Sequence, residues 1–355
     1  MAEMPKSEMP KSEMPQSEMP QSDMIARKDR RAGRLTFNRP QALNALSHEM
    51  ALAIDAALRE WQHDPEVALV VIDAAGERAF CSGGDIAAVY RAGLEGDHRV
   101  GRAFFRDEYR MNARIAEYPK PVVALMQGFV MGGGVGVGGH ASHRIVGDTT
   151  QIAMPETGIG LIPDVGGSWL LGHAPGRCGE YLGLTGARIG AGDAIFTGFA
   201  DAYIPEAEWP ALIDRLAETG DATVIAPHPR PTAPLEGRDL SAFGGPSVAE
   251  IVAALEAAGD EAALKPLRRN SPLSMAATLA LVRAARGDAS LRESLARELR
   301  FTARATAESD FLEGVRAQII DKDRNPRWSA DAGPAHVAAM LAPLGEDEIE
   351  WEDRT

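Results

Sequence analysis

The sequence has few cysteines, a deficit of basic charge and no long apolar run, and each of these shortages excludes a class of protein. Its two cysteines, Cys81 and Cys178, form no CxxC pattern and provide neither a zinc site nor a disulfide framework. The 37 basic residues are outnumbered by 51 acidic ones, and the net charge of -14 disfavours nucleic-acid binding. No stretch approaches the roughly 18 apolar residues of a membrane-spanning helix, and no secretory signal pattern is present. We therefore expect a soluble, cytoplasmic protein with neither nucleic-acid nor membrane partners.

The first residues repeat a pentad, EMPKS or EMPQS, four times between Glu3 and Ser22. A proline at every fifth position prevents a regular helix, and methionine is the only apolar side chain available for burial. We predict that residues 1–24 form a disordered tail. A mitochondrial presequence is the competing interpretation, but such presequences are poor in acids and this tract contains four glutamates.

Residues 25–222 show the alternation of strands and helices that is typical of an α/β domain. The segment GRLTF predicts a strand, and Ser47 precedes a helix whose apolar positions are Met50, Ile54, Leu58 and Trp61. The continuous apolar runs VALVVID (67–73) and PVVALMQG (121–128) predict strands buried on both faces. This order predicts βαβ units and a mostly parallel sheet.

The last part of the chain has a different pattern. Residues 223–246 are rich in proline and glycine and predict an irregular connection. Residues 247–345 contain three segments with helical periodicity, and the first opens with a serine cap. We expect these helices to complete the same fold.

Two glycine-rich segments follow predicted buried strands, FCSGGD (80–85) and MGGGVGVGGH (131–140). The second contains a formal G-x-G-x-x-G, but only about two helical turns separate it from the next strand-like segment, which argues against a dinucleotide site. Glycine also lets backbone N–H groups approach a substrate, and one amide from each loop could form an oxyanion hole. Tight packing of helix against sheet explains the glycines equally well.

Four motifs in this order resemble the enoyl-CoA hydratase/isomerase (crotonase) superfamily: NRPQALNAL (38–46), FCSGGDI (80–86), GFVMGGGVG (128–136) and MPETGIGLIPDVGG (154–167). The resemblance covers about residues 34–340. It implies a crotonase-like (ClpP/crotonase) α/β fold of repeated ββα units with a helical C-terminal region, and an acyl-CoA thioester as substrate. It implies a homo-oligomer, a trimer or hexamer, as well.

Carried over by motif, the resemblance assigns the two oxyanion-hole amides to Gly84 and Gly133. Hydratases of the family use two glutamates, one in a GGGxE pattern and one in a later PE motif. Here the first position is Gly136 and the second is Glu156. Adding water to a double bond is usually served by two acid/base groups, so this departure disfavours a hydratase.

An acid at position 164 and the segment FFRDEY (104–109) are similar to the 3-hydroxyisobutyryl-CoA hydrolase branch of the family. The resemblance implies that Glu156 and Asp164 are catalytic and that Glu108 binds the 3-hydroxyacyl group. It assigns Gly83 and Asp85 to substrate binding. Glu156 would attack the thioester or deprotonate a water, and the sequence does not choose between these routes.

A purely structural role also remains open for both acids. Glu156 could cap the TGIG turn, and Asp164 could cap the helix that starts near VGGSW. Two other functions also remain open, an enoyl-CoA hydratase or isomerase with Glu156 as its single acid and a non-catalytic acyl-CoA-binding protein.

No other group of residues points to a cofactor. His140 and His143 are three residues apart on a predicted helix but have no third ligand, so no metal site is expected. Cys81 lacks a partner base and is expected to be a small buried residue. Coenzyme A enters only as part of the substrate, and Arg39 and the basic region 265–330 are candidates for binding its phosphates.

Overall fold

A computed structural model describes residues 22–329 and 331–351. Residues 1–21 of the predicted tail therefore lie outside the described residues, whereas residues 22–24 are described and Met24 begins the first strand. The strands are β1 (Met24–Asp29), β2 (Ala32–Phe37), β3 (Leu69–Ala74), β4 (Ala79–Cys81), β5 (Val122–Met126), β6 (Phe129–Met131), β7 (His143–Val146), β8 (Gln151–Ala153) and β9 (Ala202–Tyr203).

The helices form two groups along the chain. Those interleaved with the strands are α1 (His48–Gln62), α2 (Ala87–Leu94), α3 (Arg99–Ala116), α4 (Gly133–Gly138), α5 (Gly167–His173), α6 (Cys178–Thr185) and α7 (Ala191–Phe196). The C-terminal ones are α8 (Trp209–Thr219), α9 (Val248–Ala258), α10 (Glu261–Arg269), α11 (Pro272–Ala285), α12 (Leu291–Glu308), α13 (Phe311–Val315) and α14 (Pro334–Met340). A π-helical turn, Arg316–Ile320, follows α13.

The strands form two sheets, a six-stranded one in the order β1-β2-β3-β5-β7-β9 and a three-stranded one in the order β4-β6-β8. The β1–β2 pair is antiparallel and every other strand pair is parallel. β3, β5 and β7 each lead directly into a strand of the small sheet, and a helix follows each of these pairs. The repeated ββα units of the crotonase-like fold are thus confirmed.

The local patterns explain the first elements. Ser47 caps α1 by accepting a hydrogen bond from the amide of Met50 (3.2 Å), and the four predicted apolar positions of this helix are all buried. The strand residues of β5 are all buried, as expected for a strand covered on both faces. One apolar cluster extends from Met24 to Ile349, so α11 to α14 pack on the same core as the sheets.

One segment differs from the sequence predictions. His140 and His143 do not share a helix, since α4 ends at Gly138 and His143 begins β7. Within the predicted connection (223–246), residues 225–240 contain no helix or strand, and the 3-10 turns Ala222–Val224 and Ser241–Gly244 lie at its two ends. Among the helices that the structure describes, none has the length and apolar character needed to cross a membrane.

Candidate active site

A cavity of about 260 Å³ lies where the chain leaves the strands of the small sheet. The loops after β4, β6 and β8 form one side, and α3 and the C-terminal part of the chain form the other. Phe104 and Phe105 supply apolar lining from α3, while Arg269, Gln318 and Ile319 lie on the C-terminal side. Ligands of parallel sheets bind at this end of the strands.

The amides of Gly84 and Gly133 meet in this cavity. A methyl group built on Gly133 would lie 3.4 Å from the amide nitrogen of Gly84. Within the described part of the chain, neither amide donates a hydrogen bond to another protein group. Two adjacent unengaged N–H donors at the wall of a cavity are the arrangement that stabilises a developing oxyanion.

Glu156 lies directly after β8, at the start of a short 3-10 turn. Its side chain is buried, and Oε2 has no hydrogen-bond partner among the described groups. Gly132 adopts φ +46°, and a methyl group there would lie 2.6 Å from Oε1 of Glu156. Glycine is therefore required at 132 both by the backbone conformation and by the approach of the carboxyl group.

Glu108 and Asp164 bring two more buried carboxyl groups to the cavity. Glu108 projects from α3, its Oε1 has no partner among the described groups, and this atom lies 2.7 Å from a methyl group built on Gly133. Asp164 accepts a hydrogen bond of 2.7 Å from the hydroxyl of Tyr109, which also projects from α3. Glu108 from α3 and two acids from the segment after β8 thus line the same cavity as the two free amides.

Burial raises the pKa of all three acids. The pKa of Glu156 lies well above its usual range because of burial, and the charges of Asp164 and Glu108 raise it further. Burial and the charge of Asp164 likewise raise the pKa of Glu108. Burial raises the pKa of Asp164 to about 7, against the opposing effect of the Tyr109 hydrogen bond. Such perturbed acids in one cavity are typical of a catalytic site.

The helix-capping interpretation of the two acids is wrong. The cap residue of α5 is Gly166, and the carboxylate that binds the amides at this helix start belongs to Glu298 of α12, not to Asp164. No side chain caps the 3-10 turn that begins at Glu156. Both acids face the cavity instead.

The resemblance also assigned Gly83 and Asp85 to substrate binding. Gly83 lines the cavity. Asp85 is not among the residues that line the cavity, and its carboxylate pairs with Arg39 (3.1 Å), so its assignment to substrate binding stays a prediction. Arg39 pairs with Asp23 as well (3.2 Å), so two carboxylates already hold the guanidinium proposed for coenzyme A. Arg269 is exposed at the cavity, and within the described residues it has no ion pair.

The environments of His140 and Cys81 are those of buried structural residues and not of catalytic ones. The Nε2 atom of His140 lies 2.8 Å from the carbonyl oxygen of Val165. Burial lowers the pKa of His140 to about 4, so the neutral ring donates this hydrogen bond at neutral pH. Cys81 is buried in β4, and burial raises the pKa of its thiol to about 12, which removes it as a nucleophile.

Gly136 has no room for a side chain. A methyl group at this position would lie 2.7 Å from Cβ of Val165 and 2.8 Å from Nδ2 of Asn112. Asn112 is buried, and both polar atoms of its amide lack a partner in the described chain. The space for the second hydratase glutamate is therefore filled by residues of α3 and of the loop that carries Asp164.

Sequence reasoning did not assign roles to Tyr109, Glu298 and Thr302. A signal for Glu298 was present, since it is an acid on a helix face whose other positions include Leu291 and Leu295. Tyr109 is the last residue of the segment FFRDEY (104–109), but nothing in this pattern indicates that it contacts Asp164.

Comparison with known proteins places these residues in a family. The sequence model described as enoyl-CoA hydratase/isomerase matches residues 32–341. The mitochondrial 3-hydroxyisobutyryl-CoA hydrolase of Xenopus tropicalis is 38% identical over 341 residues, which cover 90% of this chain and 88% of the relative. The probable 3-hydroxyisobutyryl-CoA hydrolase 3 of Arabidopsis thaliana is 36% identical over 346 residues, covering 90% and 91%.

Two similar crystal structures cover 93% of this chain. One is described as an enoyl-CoA hydratase from Rhodobacter sphaeroides 2.4.1, with 56% identity, a TM-score of 0.89 and all of that chain covered. The other is described as a carnitinyl-CoA dehydratase from Mycobacterium thermoresistibile, with 39% identity, a TM-score of 0.88 and 99% of that chain covered. The sequence match and the shared fold together show that this chain belongs to the enoyl-CoA hydratase/isomerase family.

Proposed function

We propose that the chain hydrolyses the thioester of a short 3-hydroxyacyl-CoA, with 3-hydroxyisobutyryl-CoA as the substrate. The observation that carries the proposal is the grouping of three buried carboxyl groups around two unengaged amides. The names of the curated relatives support the choice of substrate. Free 3-hydroxyisobutyrate and coenzyme A would be the products, in the breakdown of valine.

The amides of Gly84 and Gly133 would bind the thioester oxygen. Nucleophilic attack on the carbonyl carbon places negative charge on this oxygen, and two fixed N–H donors stabilise that charge more than they stabilise the ground state. The C–S bond then breaks, and the thiolate of coenzyme A leaves with a proton. One water is consumed for each acid and thiol formed.

Glu156 would be the principal catalytic residue. As a nucleophile, its ionised carboxylate attacks the carbonyl carbon to give a mixed anhydride that water then hydrolyses. As a general base, it removes a proton from the attacking water. Both routes need the ionised form, and the raised pKa makes Glu156 a strong base once ionised.

Asp164 and Glu108 would bind the 3-hydroxyl group of the substrate and the attacking water. Oε1 of Glu108 is buried without a partner, which is costly unless a ligand supplies a hydrogen bond. A substrate hydroxyl supplies it. We therefore expect isobutyryl-CoA, which lacks the hydroxyl, to react at least about 100-fold more slowly in terms of kcat/KM.

The size and charge of the site fit this substrate. A volume of about 260 Å³ is just below the roughly 300–1,000 Å³ of ordinary ligand pockets, so it suits a short acyl group. Arg269 at the exposed side of the cavity is the cation that we assign to the phosphates of coenzyme A. The cytoplasmic location and the trimeric or hexameric assembly stay predictions.

Hydration of an enoyl-CoA is the second candidate, because the two similar crystal structures are described as a hydratase and a dehydratase. The lack of room at Gly136 argues against it, since only Glu156 would remain of the two glutamates of hydratases. A hydratase reaction would have to use Glu108 or Asp164 in place of the missing acid.

The test measures free thiol with a chromogenic disulfide after adding 3-hydroxyisobutyryl-CoA, isobutyryl-CoA or crotonyl-CoA. We expect thiol from the hydroxyacyl substrate only, and a loss of at least about 10³-fold in Glu156→Gln. Asp193→Asn is the matched control, because Asp193 is also buried with a pKa raised by burial but lines another pocket. Loss of the crotonyl absorbance without thiol release would identify a hydratase, and tight binding without turnover a non-catalytic binding protein.

A further inference from the structure

We propose that Glu298 is a positioning residue that holds the Asp164 loop in its active conformation from a helix outside the cavity. The Asp164 loop is defined here as residues 163–168, between the 3-10 turn after β8 and the first residues of α5. The inference rests on the proposed function in one respect, since it takes Asp164 to be a working group of the cavity.

The Asp164 loop has a strained backbone next to its acid. Val165 adopts φ +53° and Gly166 φ +78°, both in the left-handed region. A β-branched residue is a true outlier there, and such a conformation is costly and persists only where the surroundings fix it. Something outside the loop must therefore select this conformation.

Glu298 supplies that selection through three hydrogen bonds. Its Oε2 accepts from the amide of Gly166 at 2.8 Å, and its Oε1 accepts from the amide of Ser168 at 2.9 Å. The hydroxyl of Ser168 also binds Oε1. These bonds hold the two residues on either side of Gly167, and the first of them, Gly166, is one of the two residues with positive φ.

The opposite side of the loop is held by other elements. His140, after α4, binds the carbonyl oxygen of Val165 at 2.8 Å. Tyr109 of α3 donates to the Asp164 carboxylate, and its oxygen lies 3.2 Å from Oγ1 of Thr302, one turn beyond Glu298 on α12. α12 thus contacts the loop backbone through Glu298 and the Asp164 side chain through Thr302 and Tyr109.

Stability alone does not account for a carboxyl group at this position. Glu298 is fully buried and has no cationic partner among the described residues, and a buried acid without a counter-charge is costly. What the group provides is a rigid pair of acceptors at a fixed separation, which two neighbouring amides require. Thr302, one turn further along α12, contacts Tyr109, and Tyr109 binds Asp164. The same helix therefore connects the two acceptor oxygens of Glu298 to the Asp164 side chain.

The test compares Glu298→Gln with Glu180→Gln. Gln keeps the shape of the side chain but replaces one acceptor oxygen by an NH₂ donor, which opposes one of the loop amides. Glu180 is the matched control because it is also fully buried, but it pairs with Arg286 (2.6 Å) away from the cavity. Ser168→Ala is a milder second variant that removes the hydroxyl and keeps both amide bonds.

Two measurements separate positioning from general destabilisation. The first is amide hydrogen exchange by mass spectrometry on peptides covering residues 163–170, which needs no activity. The second is thiol release from 3-hydroxyisobutyryl-CoA well below the melting temperature. We expect Glu298→Gln to accelerate exchange of these peptides and to lower kcat by about 10- to 100-fold, with KM changed less than about threefold.

The control variants distinguish loss of loop positioning from general loss of stability. We expect Glu180→Gln to lose melting temperature while its kcat and the exchange of the loop stay at wild-type values, and Ser168→Ala to lower kcat less than about fivefold. Unchanged exchange and kcat in Glu298→Gln would overturn the proposal, as would an equal loss of kcat in both glutamine variants. A wild-type protein that releases no thiol would refute the proposed function instead, and the exchange data would still decide whether Glu298 holds the loop.

Discussion

At the scale of single residues, Gly136 separates this site from that of a two-glutamate hydratase. The direction in which a side chain would leave the backbone is occupied by Val165 and Asn112. A larger residue must displace α3 or the Asp164 loop, and overpacking of this kind costs about 1–3 kcal/mol or more. This site therefore differs from that of a two-glutamate hydratase in the packing around position 136 as well as in the missing acid.

We predict that Gly136→Glu lowers the melting temperature and creates no hydratase. Crotonyl-CoA absorbance measures hydration, and thermal denaturation measures stability. Gly190→Ala is the control, because a methyl group there would lie 4.0 Å from the nearest atom, a backbone oxygen of Thr150, so its melting temperature should fall much less. A stable, hydrating Gly136→Glu protein would contradict this account of the packing.

The pairing of acids predicts a shift in the pH profile. The charge of Asp164 raises the pKa of Glu156, and activity needs ionised Glu156, so wild-type kcat/KM should rise with pH well above the usual range of a carboxyl group. In Asp164→Asn this charge is absent, and the rise of the residual activity should move to lower pH. Asp193→Asn should leave the profile in place. An unmoved profile in Asp164→Asn would show that the two acids do not interact.

Residue patterns predicted much of this site but not its supports. Gly84, Gly133, Glu108, Glu156 and Asp164 all came from sequence motifs, and the structure brings them to one cavity. Their catalytic roles stay predictions. The supports were missed because a hydrogen bond between Tyr109 and Asp164 depends on how α3 packs, which no local pattern encodes.

At the scale of elements, the start of α4 joins backbone conformation to the position of Glu156. Gly132 precedes this helix with a positive φ and lies against the carboxyl group. A side chain there meets two separate obstacles, the backbone strain and the carboxyl oxygen. Gly198, which also has a positive φ but no nearby carboxyl group, allows the effect of backbone strain to be measured separately from that of the carboxyl contact.

We predict that Gly132→Ala and Gly198→Ala each lose roughly 1–3 kcal/mol through backbone strain, because both positions have positive φ, and that Gly132→Ala loses more because its methyl group also meets Glu156. Only Gly132→Ala should lose kcat, by about 10-fold or more, since its methyl group displaces Glu156. Nothing lies within 4 Å of a methyl group on Gly198. Thiol-release kinetics and urea denaturation provide the two measurements, and equal activities in both variants would contradict the prediction.

Periodicity predicted the long elements well and the short ones poorly. α1, α9 and the buried strands β3 and β5 follow directly from apolar spacing and serine caps. β4, β6 and β8 have only three residues each and carry no usable pattern, although the loops that follow them build the cavity. Their pairing depends on the large sheet, so it appears only once the whole fold is assembled.

At the scale of the whole molecule, the buried acids oppose stability. The pKa of Asp164 is raised from 3.8 to about 7 on folding, so the folded protein keeps a proton that the unfolded chain releases. The free energy of unfolding that this group contributes therefore falls as the pH rises from about 4 to about 7. The cavity is maintained at the expense of stability at neutral pH.

We predict that Asp164→Asn melts higher than the wild type at pH 8, by about 1–2 °C for each kcal/mol relieved in a chain of this length. The difference should shrink at pH 5, where the wild-type carboxyl group keeps its proton. Scanning calorimetry at both pH values tests this, with Asp288→Asn as a counterexample whose carboxylate pairs with Arg297 and which should lose stability. A pH-independent difference would show that the gain has another origin.

The bond between Glu298 and the Asp164 loop has a consequence for the order of synthesis. Glu298 follows Asp164 by 134 residues, so at roughly 5 to 20 residues per second the ribosome produces α12 about 7 to 27 s after the loop. A nascent chain that already contains Glu108, Glu156 and Asp164 still lacks the group that sets the loop. We therefore expect activity to arise only in the last part of translation, and chains terminated before α12 to be inactive despite carrying every catalytic side chain.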